Sequence, residues 1–271
     1  MLKNVQHFIK GMVIGSTMMV PGVSGGTMAL ILGIYDELIH SISSFFKDVK
    51  KNITFLGVVC FGALIGLVSI SFIVDYGLNN FEFPVKFLFL GIVLGGMPVL
   101  FKEANTDKKH WTDYIFAIIG ILIILLFSVF NSETSLIDLS NLGGIIQVVT
   151  LFVTGIIIAV ALILPGISTS FLLLTLGLYE PLLVAVKTFD IGFLIPILLG
   201  VAFGVITTTK VLENFLNKKP RQTYLLIIGF VLASTLEVFP GIPIGLDIIW
   251  SIIAFIIGFI AIRYVSIKYT D

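Results

Sequence analysis

Long apolar runs, each near the length of a membrane-crossing helix, recur along most of the chain. Six of them are long enough to cross a bilayer, because roughly 20 apolar residues in a helix span its hydrocarbon layer of ~30 Å. They lie at about 53–74, 84–101, 113–130, 190–211, 223–239 and 247–264. The pattern predicts three membrane-spanning helices in each half of the chain.

Each half also contains an apolar run that is interrupted by a Pro-Gly sequence. The first interruption reads PGVSGGT at 21–27, and the second reads PGISTS at 165–170. We call them the first break and the second break. Helix breakers at membrane depth are tolerated only where neighbouring protein or a water-filled cavity satisfies the freed backbone groups.

The helical pieces around the first break are too short to cross a membrane separately. Residues 8–20 form a helix of only about 20 Å, and 27–46 continue as a second helical piece. Together they predict a re-entrant hairpin, which enters and leaves on one side of the membrane. A second hairpin is expected at about 145–187, although 145–164 is long enough to cross alone.

The second half of the chain repeats the first. The breaks are 144 positions apart, and each is followed by a Leu-Gly-x-Tyr-acid sequence. Beyond it the match continues at a spacing of 138, which pairs Gly62 with Gly200 as expected packing glycines. The second copy has therefore lost six residues after its Tyr-acid pair. The repeat predicts one membrane domain, 1–271, made of copies 1–138 and 139–271.

Composition places the chain among polytopic membrane proteins. Of its 271 residues, 58% are hydrophobic and 12% are charged, whereas soluble domains average about 25% charged residues. The mean hydropathy is +1.14. Membrane lipids are therefore the expected surroundings, and the net charge of zero gives no reason to expect a nucleic-acid partner.

The basic residues predict the orientation of these helices. If both hairpins are re-entrant, 14 of the 16 basic residues share one face with both chain termini. They are Lys3, Lys10, Lys47, Lys50, Lys51, Lys102, Lys108, Lys109, Lys210, Lys218, Lys219, Arg221, Arg263 and Lys268. An excess of Lys and Arg marks the cytoplasmic face, so both termini are expected there. Two spanning helices per hairpin would give the same bias.

The expected fold follows from the odd number of spans in each copy, which makes the two copies point in opposite directions. It is an all-α polytopic membrane protein with an inverted-topology repeat. Each half comprises one re-entrant helical hairpin and three transmembrane helices, and one hairpin dips in from each side.

The two breaks form the candidate binding site. Backbone N–H groups without helical partners, together with the positive end of the following helix, favour an anion. The residues expected to bind it are Gly22, Ser24, Gly25, Gly26, Thr27, Gly166, Ser168, Thr169 and Ser170. Breaks that enter from opposite faces would meet near the midplane. Such residues are also common in ordinary loops and packed helices, but their symmetric recurrence favours a site.

An acidic residue follows each break. Asp36 and Glu180 come directly after Tyr35 and Tyr179, and they are expected to close the second helical piece of each hairpin. An acid in the apolar layer often marks an ion path, so both are candidates for coupling to a proton or sodium gradient. The alternative is a Tyr-acid pair at the water interface. The three histidines have no metal-binding spacing, and neither a metal nor a cofactor is expected.

The first break and the following sequence LGIY at 32–35 resemble the signature of the bacterial polyprenyl-phosphate (undecaprenyl-phosphate) translocases of the PopT type. The second break is similar to their second signature, with Thr169 and Ser170 where the signature has a glycine-containing pair. The resemblance covers nearly the whole chain. It implies a multi-pass protein of the bacterial plasma membrane that returns undecaprenyl phosphate from the outer to the cytoplasmic leaflet for envelope polymer synthesis.

Two other functions are compatible with an anion site in a membrane. One is an integral-membrane phosphatase that acts on a polyprenyl pyrophosphate, and the other is a carrier for a small soluble anion. Phosphoryl transfer needs Arg, Lys or a metal near the transferred group, together with a base or nucleophile. Near the breaks the sequence has no arginine, histidine or cluster of acids, so the chain is not expected to be an enzyme.

Overall fold

The structure, a computed structural model, describes residues 2–18, 24–105, 110–129 and 143–270. This part of the chain consists of α-helices with short connections and contains no β-strand. The helices of the first half are α1 Leu2–Thr17, α2 Gly25–Ile31, α3 Tyr35–Ser43, α4 Val49–Asn80, α5 Glu82–Glu103 and α6 Tyr114–Val129. Those of the second half are α7 Gly144–Ile163, α8 Thr169–Leu176, α9 Tyr179–Thr188, α10 Ile191–Lys218, α11 Pro220–Val238 and α12 Leu246–Thr270.

Five of the described helices are long and apolar enough to cross a membrane, as expected for a multi-pass helical membrane protein. They are α4, α5, α7, α10 and residues Leu246–Ile267 of α12. Four of the six predicted spans fall within them, and α7 adds the stretch 145–164 that the sequence left open. The predicted span at 113–130 corresponds to a shorter apolar helix, Trp111–Leu126.

Helix α11 covers most of the stretch 223–239, where the sequence predicts a membrane span, and it lies in the core of the protein. It is not among the five described helices that are long and apolar enough to cross by length and composition. Most of its circumference is buried by protein, including Tyr224 and Val231. Its buried Arg221 donates to the Asp113 carboxylate at 2.8 Å, so the charge is paired. A helix that is surrounded by protein needs no continuous apolar surface toward lipid.

The helical piece after each break is divided in two. The prediction of one helix over 27–46 is wrong, because α2 ends at Ile31 and α3 begins at Tyr35. Gly33 lies between them with a φ of 65°, and Gly177 has a φ of 74° at the same place in the second copy. A residue in this left-handed conformation ends an α-helix.

The helix ends at Gly33 and Gly177 also change where the two acidic residues lie relative to the helices. Asp36 and Glu180 lie in the first turns of α3 and α9. The prediction that they close the preceding helical piece is therefore wrong, because a new helix begins at the tyrosine before each of them. Carboxylates in a first helical turn interact favourably with the positive end of the helix.

Glycines bring the long helices together in pairs. These pairs are α1 with α4, α7 with α10, α5 with α12, and α6 with α11. A Cβ on Gly62 would lie 2.3 Å from the backbone oxygen of Phe8, and one on Gly200 would lie 2.0 Å from that of Phe152. Only a hydrogen atom fits at such distances, so the predicted small-residue packing is confirmed at both glycines.

The two helices that follow the first break lie in the centre of the main core. Helices α2 and α3 pack with α5 and α11, and Ile31 and Leu100 are fully buried there. The outer helices α4, α10 and α12 instead expose large apolar side chains such as Phe72, Leu198 and Ile257. Apolar surface of this extent requires a lipid environment. The break residues are therefore held by a packed protein interior that is itself surrounded by lipid-facing helices.

Candidate functional site

The two breaks are in direct contact, although 142 positions separate the residues that join them. The backbone N–H of Gly166 donates to Ser24 Oγ at 3.0 Å. The same oxygen caps α2 by accepting the N–H of Thr27 at 3.1 Å. A Cβ on Gly26 would lie 3.4 Å from Ile163 O and from the Cα of Pro165. One hydroxyl therefore organises the start of α2 and the turn of the second break.

A tyrosine beyond the first break completes the contact. The hydroxyl of Tyr35, which is 3% exposed, donates to the backbone oxygen of Ile163 at 2.7 Å. Ile163 is the last residue of α7, where carbonyl groups have no partner within their own helix. The sequence marks Tyr35 only as the residue before the acid. The matching Tyr179 in the second copy was the available signal that Tyr35 has a function. Neither tyrosine, however, indicates from the sequence that it bonds to the other copy.

Gly166 occupies a position that no other residue fits. Its φ is 82°, in the left-handed region that favours glycine. A Cβ there would lie 2.6 Å from the carbonyl carbon of Phe230 and 2.7 Å from the nitrogen of Val231. Both are backbone atoms of α11, which cannot rotate away as a side chain can. The second break is therefore seated directly against the backbone of the core helix.

The structure describes eight of the nine predicted binding residues. Gly22 lies outside the described residues. Ser24, Gly25, Gly26 and Thr27 form the start of α2, Gly166 lies in the turn before α8, and Ser168, Thr169 and Ser170 lie at the start of α8. The described part of the prediction thus falls at two helix starts that the Ser24–Gly166 bond connects.

Thr27 differs from the other hydroxyl residues because it is buried. It is 2% exposed, and its Oγ1 lies 3.0 Å from Ser24 Oγ. Ser24, by comparison, is only half-buried. In this conformation the Thr27 hydroxyl therefore supports Ser24, and Ser24 is the more accessible of the two for a ligand.

Asp36 is bonded to the other copy through a buried tyrosine. The hydroxyl of Tyr224, on α11, lies 3.1 Å from both carboxylate oxygens of Asp36. Loss of hydration in these surroundings raises the pKa of the Asp36 carboxyl, and the Tyr224 hydrogen bond opposes this shift. Glu180, its counterpart, is exposed on α9 and forms no ion pair within the described residues. The two acids therefore have different environments.

Three further polar side chains join α3 to α10. His40 Nδ1 lies 2.5 Å from a carboxylate oxygen of Glu213, and Ser43 donates to the other oxygen of the same carboxylate. These residues are 170 or more positions apart in the sequence. We call them the α3–α10 contact. In the part of the chain that the structure describes, no group of three or more His, Cys, Asp or Glu side chains is placed to hold a metal ion.

These features define a class of protein, namely a multi-pass helical membrane protein in which two interrupted helices meet between apolar ones. The chain belongs to the undecaprenyl phosphate translocase-like family (VCA0040-like), whose model matches residues 14–245. The sequence-based resemblance to this family is therefore confirmed.

Two curated relatives have the same name. The chain is 36% identical over 264 residues to the polyprenyl-phosphate transporter of Staphylococcus aureus, which covers 94% of this chain and 93% of that protein. It is 28% identical over 247 residues to the polyprenyl-phosphate transporter of Vibrio cholerae, which covers 86% of this chain and 77% of that protein. No solved structure matches the chain.

Proposed function

We propose that this protein carries polyprenyl phosphate, with undecaprenyl phosphate as the expected lipid, from the outer to the cytoplasmic leaflet of the bacterial plasma membrane. The family and the names of both relatives support a polyprenyl-phosphate transporter. A family named for transport also fits a protein that is not an enzyme. The observation that carries the proposal is the bond between Ser24 and Gly166, which joins two polar breaks inside an apolar helical protein.

The joined breaks offer what a phosphate headgroup needs within a membrane. A bare ion in hydrocarbon costs many kcal/mol, so hydrogen-bond donors must replace its water. The hydroxyl of Ser24, supported by that of Thr27, can donate to a phosphate oxygen, and the N–H of Gly166 lies beside it. The polyprenyl tail remains in lipid. Gly25, Gly26, Ser168 and Thr169 lie at the same two helix starts.

The pairing of helices supports two inverted copies. The repeat relates α1 and α4 to α7 and α10, and these are two of the closest helix pairs. It also relates α5 to α11 and α6 to α12. Under this relation the pair α5–α12 corresponds to the pair α11–α6, and both pairs are observed. We infer an inverted repeat of 1–138 and 139–271, in which α1–α3 and α7–α9 form the two hairpins.

One contact breaks this symmetry and supports alternating access. Helix α3 packs on α10, whereas among the described residues its counterpart α9 makes no comparable contact with α4. In an inverted repeat, these two contacts close opposite faces of the protein. We infer that the α3–α10 contact closes the lysine-rich face in the present conformation. Transport exchanges the α3–α10 contact for an α9–α4 contact.

A reversible cross-link tests the function and the exchange together. Cysteines replace Ser43 and Glu213 in a Cys60→Ser chain, and a cleavable thiol reagent joins α3 to α10. In vesicles, the flip of fluorescent polyprenyl phosphate is followed as the loss of dithionite-accessible signal. We expect flipping that needs the protein, a roughly tenfold or larger loss on cross-linking, and recovery after cleavage, because the exchange requires the two helices to separate.

Each negative result of this experiment has its own meaning. The Ser43→Cys chain without the second cysteine, treated with the same reagent, is the matched control. Flipping no faster than in protein-free vesicles would refute transport of this lipid. Undiminished flipping by the cross-linked chain would refute the exchange while leaving the transport function in place. Release of inorganic phosphate from the pyrophosphate lipid would favour the phosphatase, and transport of free phosphate would favour the small-anion carrier.

We also propose that Asp36 couples transport to a proton or sodium gradient, with Glu180 as its counterpart in the second copy. The hydrogen bond between Asp36 and Tyr224 joins the two copies, so a change in the charge of Asp36 affects the contact between them. Because the pKa of Asp36 is raised, its protonated form extends to higher pH than that of an ordinary aspartate.

We expect Asp36→Asn to make the transport rate independent of pH or sodium. Vesicle rates over roughly pH 5 to 8, with and without sodium, measure this. Unchanged dependence in Asp36→Asn and Glu180→Gln would leave both acids structural.

A further inference from the structure

A second polar region lies apart from the breaks. A cavity of about 660 Å³ opens between the start of α1, the end of α3 and the start of α4. No residue of either break lines it. Its basic side chains are Lys3, His7, His40, Lys47, Lys50 and Lys51. We call it the lysine cavity. Four lysines around one opening are a strong attraction for an anion.

The acidic groups of the lysine cavity already have partners. Glu37 lies 3.2 Å from Lys3 Nζ and 3.5 Å from His7 Nε2. Asp48 caps α4 by accepting the backbone N–H of Lys51 at 3.3 Å. The two carboxylates offset only two of the four lysine charges, so the lysine cavity keeps an excess of positive charge.

Three lysines remain for a ligand. Lys47, Lys50 and Lys51 are exposed, and none of them forms an ion pair within the described residues. They lie on the 3₁₀ turn Phe45–Lys47 and on the first turn of α4. The cavity thus carries an excess of positive charge that faces water.

A buried amide fixes the backbone that carries these lysines. Asn52, which is 5% exposed, donates its side-chain N–H groups to the backbone oxygens of Ser44 at 3.1 Å and Phe45 at 3.2 Å. Ser44 in turn donates its hydroxyl to the backbone oxygen of His40 at 2.6 Å. The end of α3, the turn and the start of α4 are therefore one rigid frame, which lowers the entropy cost of ordering a ligand there.

The connection that carries Lys47, Lys50 and Lys51 is longer in the first copy of the repeat than in the second. The corresponding connection in the second copy is six residues shorter. In that copy only Phe189 and Asp190 separate α9 from α10. The breaks are duplicated and this connection is not, so its function belongs to one face of the membrane. A one-sided basic site is expected where a charged headgroup leaves the protein for water.

We propose that the lysine cavity binds a phosphate monoester, the headgroup of the transported lipid, on the lysine-rich face. This assignment rests on the proposed transport function. A phosphate monoester carries about 1.5 to 2 negative charges at neutral pH, which two or three lysines match. Lysine is an established phosphate ligand, and each lysine near a membrane surface contributes roughly fivefold in affinity for anionic headgroups.

A fluorescent reporter on the cavity wall tests this. Thr54 lines the cavity and is exposed, so Thr54→Cys in a Cys60→Ser chain can carry an environment-sensitive dye. The purified full chain is titrated with geranyl phosphate, with inorganic phosphate and with geraniol. We expect a saturable response to geranyl phosphate, a much weaker one to inorganic phosphate and none to geraniol.

Two matched variants locate the site. Replacing Lys47, Lys50 and Lys51 together by glutamine is expected to weaken geranyl phosphate binding about 100-fold. The control removes three charges from the same end of the molecule but outside the cavity, by replacing Lys210, Lys218 and Lys219 with glutamine. It is expected to weaken binding far less than the cavity variant does, because none of these three lysines lines the cavity. Circular dichroism and thermal unfolding verify that both variants fold.

The outcomes separate this inference from the transport function. Unchanged affinity in the cavity variant, or equal losses in both variants, would overturn the lysine cavity as the site. Equal responses to inorganic and geranyl phosphate would make it a free-phosphate site and overturn the headgroup assignment. Vesicle flipping by the unmodified chain is measured in parallel. The transport function and the binding site in the lysine cavity are thereby tested separately, and a negative result for one does not refute the other.

Discussion

Replacing Gly166 by alanine is expected to cause the largest loss of stability and transport of any single change in the breaks. The left-handed φ of 82° costs alanine about 1 kcal/mol. The new Cβ would also lie 2.6 Å from the backbone of Phe230. Because α11 is buried on most sides, this overlap must displace the break itself. We expect a total loss of roughly 3 to 5 kcal/mol in the free energy of unfolding, and no measurable flipping.

Gly241 provides the matched control for Gly166. Its φ is 94°, but nothing lies within 4 Å of the position of a Cβ. Gly241→Ala should therefore show the conformational cost alone, about 1 kcal/mol, and near-normal flipping. Denaturant unfolding in detergent measures the first quantity and the vesicle assay the second. Equal losses in both variants would show that the approach to α11 is unimportant.

Ser24→Ala is expected to reduce transport by about tenfold to 100-fold while the protein still folds and inserts. The change removes the acceptor of two backbone N–H groups, those of Gly166 and Thr27. An unsatisfied buried donor costs about 1–3 kcal/mol, which corresponds to this range of rates if the joined breaks form the binding conformation. The loss should appear in the flipping rate more than in the thermal unfolding temperature.

Two other serine variants make this prediction specific. Ser24→Thr keeps a hydroxyl at the N-cap and should retain most of the flipping rate. Ser71→Ala deletes the same atom on α4, where Ser71 Oγ donates only to its own helix, at 3.0 Å to Val68 O. It should behave as the unmodified chain does. Normal flipping by Ser24→Ala would mean that the bond to Gly166 has no part in transport.

Local patterns were sufficient to predict the apolar helices, both breaks and the packing glycines. The failure at 27–46 has an identifiable cause. Gly33 and Gly177 recur directly before the tyrosine region of each copy, and their φ values of 65° and 74° end the helix there. A recurring glycine in a helical run was thus a signal for a second interruption. A continuous helix through these glycines places Asp36 and Glu180 at helix ends, whereas they lie in the first turns of α3 and α9.

The sequence by itself determined that the chain is a helical membrane protein with two similar breaks, because hydropathy and helix breaking are local properties of the residues. Only the tertiary structure decided which groups meet. Ser24 and Gly166 are 142 positions apart, and Asp36 and Tyr224 are 188 apart. Such pairs depend on how buried helices pack against one another, and no periodicity along one helix encodes its neighbour. The likeness of the copies is therefore readable from the residues, whereas the bonds between them are a product of packing.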